Sequence, residues 1–347
     1  MADPVADKTA KVKQWLQIAI ELELATIPPY MIALLSIKLP TNREAADLIR
    51  SVMIEEMLHL ALVANVLNAV GGTPRLDETA IPRYPLQMTF QGKAFEDRKF
   101  SINLEPFSKT SIATFMKIEQ PEPPPVRVAM ADAIEVPAYT IGEFYREIIS
   151  MLGELGQAVP GGLFTGERAR QIHRDYYWSG GGEPVVVTDL ASATQALNIV
   201  INQGEAAWPS AATGFGDPLA MGHYYRFSEI FYGKRYRPED NPAAPPKGDP
   251  IAVDFNAAFP VAINASSADY PKGSQLAKLN DAFNARYTGM MLLLNEAVNG
   301  TPKALYTAIM NGMHAMTPIA HEMMKLPLDR DPQHVGCPTF EWFEQEA

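Results

Sequence analysis

The 347-residue sequence holds a single cysteine, Cys337, which excludes an internal disulfide and any zinc or iron–sulfur site built on several thiolates. It is also short of positive charge. Lys and Arg number 29 against 40 Asp and Glu, a formal net charge of -11, and no basic patch interrupts the acidic excess. Such a surface repels phosphate backbones, so nucleic acid is not an expected partner. No run approaches the ~18 apolar residues of a bilayer span, and the N-terminus lacks the basic-then-apolar pattern of a secretion leader. The expectation is a cytoplasmic chain with no membrane partner. There is no internal repeat and no low-complexity tract. With 47% hydrophobic and 20% charged residues, the composition is that of a folded chain.

Long helical patterns alternate with proline-rich passages. A helix over residues 8–39 contains Pro28 and Pro29, which predict a kink near Leu24 and Ala25. A second opens at Thr41-Asn42-Arg43-Glu44, the spacing of a capping box, and stops at Gly71-Gly72 with Pro74 beyond. Between Asp47 and Val70 it is apolar on nearly every face, which predicts burial all round. Repeated prolines exclude a long helix from residues 73–137, where short strands at 86–90 and 100–104 and a short helix at 108–119 fit the pattern. Helical periodicity returns at 141–155 and 190–208, and again from the N-cap pair Asp217-Pro218 to about Tyr232. A second proline-rich connection, 238–260, leads to helices at 274–298 and 302–325. The fold class is mainly α, a bundle with one long irregular excursion.

Ionisable residues on the buried faces of these helices carry the functional signal, because an unpaired buried charge costs several kcal/mol. Glu23 has Leu16, Ala19, Ile20, Thr26 and Ile27 at helical spacing, whereas Glu21 shares its stripe with Gln14 and Gln17. Glu23 is therefore the inward acid. In the second helix Glu56 and His59 stand three residues apart, on a stripe that includes Val52, Met53, Leu60 and Val63. Such a pair is half of a carboxylate-bridged metal site, although a hydrogen-bonded core pair has the same spacing. Glu205 follows Gly204, a costly residue inside a helix unless close approach or local distortion is wanted. His223 lies among Leu219, Ala220, Phe227 and Ile230, with Arg226 alongside, and Glu229 has the spacing to pair with Arg226. Each residue alone has an ordinary packing explanation. Four helices offering inward ligands together point to a cation.

Several stretches, in order, resemble one family. They are Leu22-Glu23-Leu24-Ala25-Thr26-Ile27-Pro28-Pro29-Tyr30, Glu55-Glu56-Met57-Leu58-His59, Asn65-Val66-Leu67-Asn68-Ala69-Val70-Gly71-Gly72, Gln203-Gly204-Glu205, and the run from His223 to Ile230. They are similar to the ferritin-like family named for the iminophenyl-pyruvate dimer synthases of violacein- and rebeccamycin-type biosynthesis, from about residue 14 to 233. The resemblance implies a ferritin-like four-helix bundle in residues 1–233, with an insertion at about 73–139. Residues 234–347 would form a proline-rich connection and two further helices packed on the bundle. It also implies a metal centre held by Glu23, Glu56, His59, Glu205 and His223. The last helix departs from the general di-iron pattern, since no second Glu-x-x-His occurs, and nuclearity stays open between one ion and two. Arg226 is the catalytic candidate, either orienting a carboxylate or meeting an anionic substrate.

Oxygen and imidazole donors without thiolates suit iron, with manganese or zinc as alternatives. The expected function is a non-haem iron oxidoreductase, or an imine-coupling enzyme, acting on a small amino-acid-derived or secondary-metabolite substrate. Its partners would be that small molecule and dioxygen, and a homo-oligomer is allowed. The alternative is a non-catalytic metal-binding or scaffold protein. Elsewhere, His314 and His321 stand seven residues apart among Met310, Met313, Met316, Met323 and Met324, a pattern that fits a soft pocket but more simply core filling. Asp331 and His334 read as a surface loop. Glu119 and Glu122 flank a proline cluster and read as part of a stiff extended loop, the long irregular region being expected to cover the bundle's open end.

Overall fold

Two long helices dominate the computed structural model, which describes residues 4–90, 98–121, 134–136, 140–206, 208 and 220–344. Helix α1 (Pro4–Ser36) and α2 (Arg43–Ala69) run antiparallel, so that Lys13 meets Gly71 while Thr26 meets Glu56. Pro28 and Pro29 do not divide α1. The carbonyl of Ala25, which Pro29 cannot serve with an N–H, instead accepts from the Tyr84 hydroxyl at 2.8 Å. The capping box expected at residues 41–44 does not form. Asn42 occupies the cap without bonding the helix, because its side chain is drawn to the backbone of Asp254, as donor to the carbonyl and acceptor from the N–H.

The far end of α2 follows its glycine signal. Gly71 takes φ +70°, its N–H bonds Asn68 O, and the Gly72 N–H bonds Leu67 O, which together close a Schellman motif. Every residue from Leu58 to Ala69 is buried. The asparagines inside that stretch are there to hold neighbouring chain. Asn65 donates to Ile172 O and Val185 O and accepts from Ile172 N, and Asn68 donates to Val298 O. The most apolar windows of α1 and α2 are 78% and 89% buried, so their hydrophobic surface faces protein.

Against this pair lie two shorter pairs. Helices α4 (Ile141–Ala158) and α5 (Leu190–Ile201) pack on each other, α4 also on α1 and α5 also on α2. Helices α3 (Lys109–Ile118) and α6 (His223–Tyr232) pack on each other at the other end, where Tyr30 of α1 meets Phe115 and Phe227. The excursion between α2 and α4 contributes α3 and a small sheet of order β2-β1-β3. Strand β1 (Leu86–Phe90) pairs antiparallel with β2 (Arg98–Ile102) and parallel with β3 (Ile134–Val136). The mainly α fold class is thus borne out, with the strands in the proline-rich region.

Several boundaries differ from expectation, β2 at Arg98–Ile102 against 100–104 and α1 at Pro4–Ser36 against 8–39 among them, and three helical ones bear on the sites. Helix α5 passes at Asn202 into a π-helical turn, Asn202–Ala206, that contains Gly204. Helix α6 begins at His223, and the Asp217-Pro218 cap lies outside the described residues. The last predicted helix is α8 (Ala304–Thr307), a π-helical turn Ala308–Met313, and α9 (His314–Met323). With α7 (Gln275–Ala297) these C-terminal elements cover the outer face of α1.

Candidate metal centre

Where the two short pairs meet, helix ends converge on the middle of α1 and α2. Glu119 is the C-cap of α3, His223 is the first residue of α6, and Gly204 sits in the π turn that ends α5. From the long helices come Glu23, Glu56 and His59, each at most 3% exposed. Donor atoms of Glu23, Glu56 and His59 lie within 4.8 Å of one another, and so do those of Glu56, Glu119 and His223. Glu56 belongs to both groups, so the arrangement could hold two ions side by side or one shared between them.

Both imidazoles are tied back by the nitrogen that faces away from the carboxylates. His59 Nε2 lies 2.9 Å from Gln203 Oε1, and the Gln203 amide nitrogen donates to Gly181 O, so Oε1 must be the acceptor and Nε2 carries the hydrogen. His223 Nε2 lies 2.9 Å from Glu55, a carboxylate that can only accept from it. Each ring therefore presents Nδ1 to the acids when neutral. His59 Nδ1 is 3.3 Å from Glu23 and 3.8 Å from Glu56; His223 Nδ1 is 2.8 Å from Glu56 and 3.4 Å from Glu119. Despite that proximity, His223 Nδ1 is buried without a hydrogen bond of acceptable geometry among the described residues. An orphaned buried nitrogen facing two carboxylates fits a metal ligand, because a cation between them satisfies all three groups.

Outer partners hold the acids as well. The Tyr145 hydroxyl donates to Glu23, Tyr30 donates to Glu119, and Thr26 Oγ1 lies 2.9 Å from Glu56. Burial first, and then the neighbouring carboxylates, push both tyrosines well above the usual phenol range, so they remain donors. Arg226 is fully buried. It donates from Nε to Met221 O, from Nη1 to Ser51, and from Nη2 to Glu55. Of its two expected roles, the geometry gives the orienting one: Arg226 holds Glu55, and Glu55 holds His223.

Burial and the carboxylates of Glu119 and Glu23 push Glu56 up to about 8. His59 and His223 are both raised, burial opposing and the surrounding acids prevailing. Burial opposes ionisation of Glu23 too, yet the hydrogen bond and charge of His59 hold it below the ordinary range. In the metal-free chain, protons on Glu56 and the two rings thus occupy the place of a cation. Glu56 titrates near 8 when folded and near 4.5 as an ordinary carboxyl, so the folded state holds the extra proton across that interval. The metal-free protein is expected to lose stability as pH rises through it, while metal affinity increases. Competition titrations at about pH 6 and about pH 8.5 should show at least tenfold tighter binding at the higher pH. Equal affinity at both would mean that these groups are not displaced by the ion.

The sequence puts Glu119 at the end of the expected helix 108–119 and beside the proline cluster, and does not mark it as a ligand. The structure makes it the end of a helix, 2% exposed. A signal was present, since Glu119 continues the stripe of Ile112 and Phe115 at helical spacing. Glu205 lies in the π turn, but its side chain is outside the described residues. Gly204 is buried there, and a Cβ on it would stand 3.9 Å from Glu119 Oε2, so a larger side chain would enter the cluster. Glu229 faces elsewhere, bound to Arg235 and to Tyr236 N. His314 and His321 are exposed and join no acid–imidazole group among the described residues. Asp331 and His334 pair at 2.6 Å outside the helices.

Comparison with known proteins bears on the fold. A protein called dichlorochromopyrrolate synthase, from Lentzea aerocolonigenes, is 27% identical over 327 residues. That match covers 84% of this chain and 29% of the relative, so the chain spans less than a third of the relative's length. A crystal structure of a ferritin-like protein from Caulobacter vibrioides matches with a TM-score of 0.61 at 23% identity, over 95% of this chain and 98% of the other, which shows the shared fold. The ferritin-like family profile matches residues 16–232, nearly the span over which the sequence motifs resemble it. The chain belongs to the ferritin-like family.

Proposed function

We propose that the chain is a non-haem iron oxidoreductase acting on a small amino-acid-derived or secondary-metabolite substrate. The observation that carries this reading is the pair of imidazoles, each tied back through Nε2 and each turning Nδ1 toward a shared set of three buried carboxylates. Oxygen and nitrogen donors without thiolate suit iron. Glu23, Glu56 and His59 would hold one ion, and Glu56, Glu119 and His223 a second. Iron held there would supply one-electron chemistry with dioxygen. The protein's own part is to keep the acids ionised around the cation, to fix both rings in one tautomer, and to exclude bulk water from a site lined by buried tyrosine and phenylalanine. The similarity to a biosynthetic synthase supports a small-molecule substrate, and dioxygen is the second reactant of this proposal.

The test loads the full chain anaerobically with iron(II), mixes it with oxygenated buffer, and follows iron oxidation by near-ultraviolet absorbance and oxygen uptake with an electrode. The expected result is iron(II) oxidation faster than that of free iron, accelerated further by an amino-acid-derived substrate. Glu119→Gln should remove the rate advantage. Iron that is retained but oxidised no faster than free iron would replace this reading with a binding scaffold.

A further inference from the structure

Back to back with the candidate metal centre, on the outer face of α1 and α2, lies a cavity of about 70 Å³ roofed by α7 and the π turn 308–313. It adjoins a groove of about 420 Å³, within the range of small-molecule sites, with which it shares Met31, Met57, Ser179, Ile309 and Met313. Exposed aromatic residues, Trp178 and Tyr306, stand along the groove. No charged residue lines the cavity among the described residues. Five methionines do, Met31, Met57, Met290, Met313 and Met316, and thioethers adapt to irregular shapes and contact aromatic rings favourably. π-Helical turns cost backbone stability and occur mostly at functional positions.

Three hydroxyl-bearing residues, Tyr177, Ser179 and Tyr287, interrupt the apolar lining. The hydroxyls of Tyr177 (8% exposed) and Tyr287 (2% exposed) find no hydrogen-bond partner of acceptable geometry among the described residues, although the Ser179 hydroxyl lies alongside Tyr177. A buried hydroxyl without a partner costs on the order of 1–3 kcal/mol, and two among the residues that line one cavity are a large concession for a site that does nothing. We propose that this cavity and the groove it adjoins together bind a neutral, flat aromatic molecule, its carbonyl oxygen in the cavity and its rings in the groove. The phenol hydroxyls of Tyr177 and Tyr287 donate to that oxygen, and the methionines pack on the ring. A carboxylate is disfavoured, because no cation is there to meet it. The site does not depend on the metal reading, since α1 and α2 turn Glu23, Glu56 and His59 to one face and Leu24, Met57 and Leu60 to the other.

The probe is prodan, a neutral aromatic ketone whose emission shifts to the blue in apolar surroundings, titrated into the full chain as purified. Saturable, blue-shifted binding in roughly the micromolar range is expected. Tyr177→Phe and Tyr287→Phe should each weaken it by about 3–10-fold, the size of one net hydrogen bond, with metal content unchanged. Without ligand, each variant should unfold at the same or a higher temperature, because an unpartnered hydroxyl has been removed; a structural hydroxyl would give the opposite sign. Naphthoate, the charged counterpart, should bind at least tenfold more weakly. The proposal is overturned by any of four results. These are no saturable signal, indifference to both substitutions, tighter binding of naphthoate, or loss of the signal when metal is stripped with a chelator, which would put the probe at the metal centre.

Discussion

Glu56→Gln is expected to strip the protein of metal. Glu56 is common to both ligand groups, so one substitution removes a ligand from each while keeping side-chain shape. The loss should exceed the ~10–100-fold that follows from disturbing an outer partner of a ligand. Elemental analysis of protein purified without chelators should find one or two equivalents of metal in the parent chain and background in the variant. The fold gives an internal control. Since Glu56 is pushed up to about 8, it is largely protonated at neutral pH in the metal-free chain, where glutamine is a close mimic. Metal-free Glu56→Gln should therefore match metal-free parent in thermal unfolding at pH 7 and surpass it at alkaline pH. Indistinguishable metal content in the two proteins would defeat the site.

Arg226→Met should cause the largest loss of stability. The guanidinium is fully buried and donates in three directions, to Met221 O, Ser51 and Glu55. Removing it leaves the Glu55 carboxylate buried with His223 as its remaining ion-pair partner among the described residues, and breaking a buried pair from one side costs about 3–5 kcal/mol. Denaturant unfolding of the metal-free protein measures this directly. Metal affinity should fall too, by ~10–100-fold, because Glu55 no longer stands fixed to hold the His223 tautomer. Adding Glu55→Gln to Arg226→Met should recover much of the stability, by removing the stranded charge, but little of the affinity. Unchanged stability in Arg226→Met would show that Glu55 is neutralised by something else.

The helical frame was largely legible, because period and punctuation are local. Gly71 and Gly72 end α2 where a residue is needed at positive φ, and Ser274 caps α7 as written in the chain. The exceptions are informative. Asn42 abandons its own helix for the backbone of Asp254, 212 residues away, an option no window around it can reveal. The π turns at 202–206 and 308–313 lie within otherwise helical periodicity, and their extra residue is a packing solution rather than a propensity.

The site divides along the same line. By itself the sequence determined a mainly helical chain with Glu23 turned inward and with Glu56 and His59 on one face, since residues three or four apart on a helix are neighbours whatever surrounds it. Only the tertiary structure decided that Glu119 joins Glu56 and His223 in a second acid–imidazole group, that Glu55 and Gln203 set the two imidazole tautomers, and that Tyr30 and Tyr145 hold the acids. Those pairings span 89 to 168 residues of chain. Contacts between separate elements leave no periodic trace, because the geometry that brings them together belongs to the packing of whole helices and not to the order of side chains along any one of them.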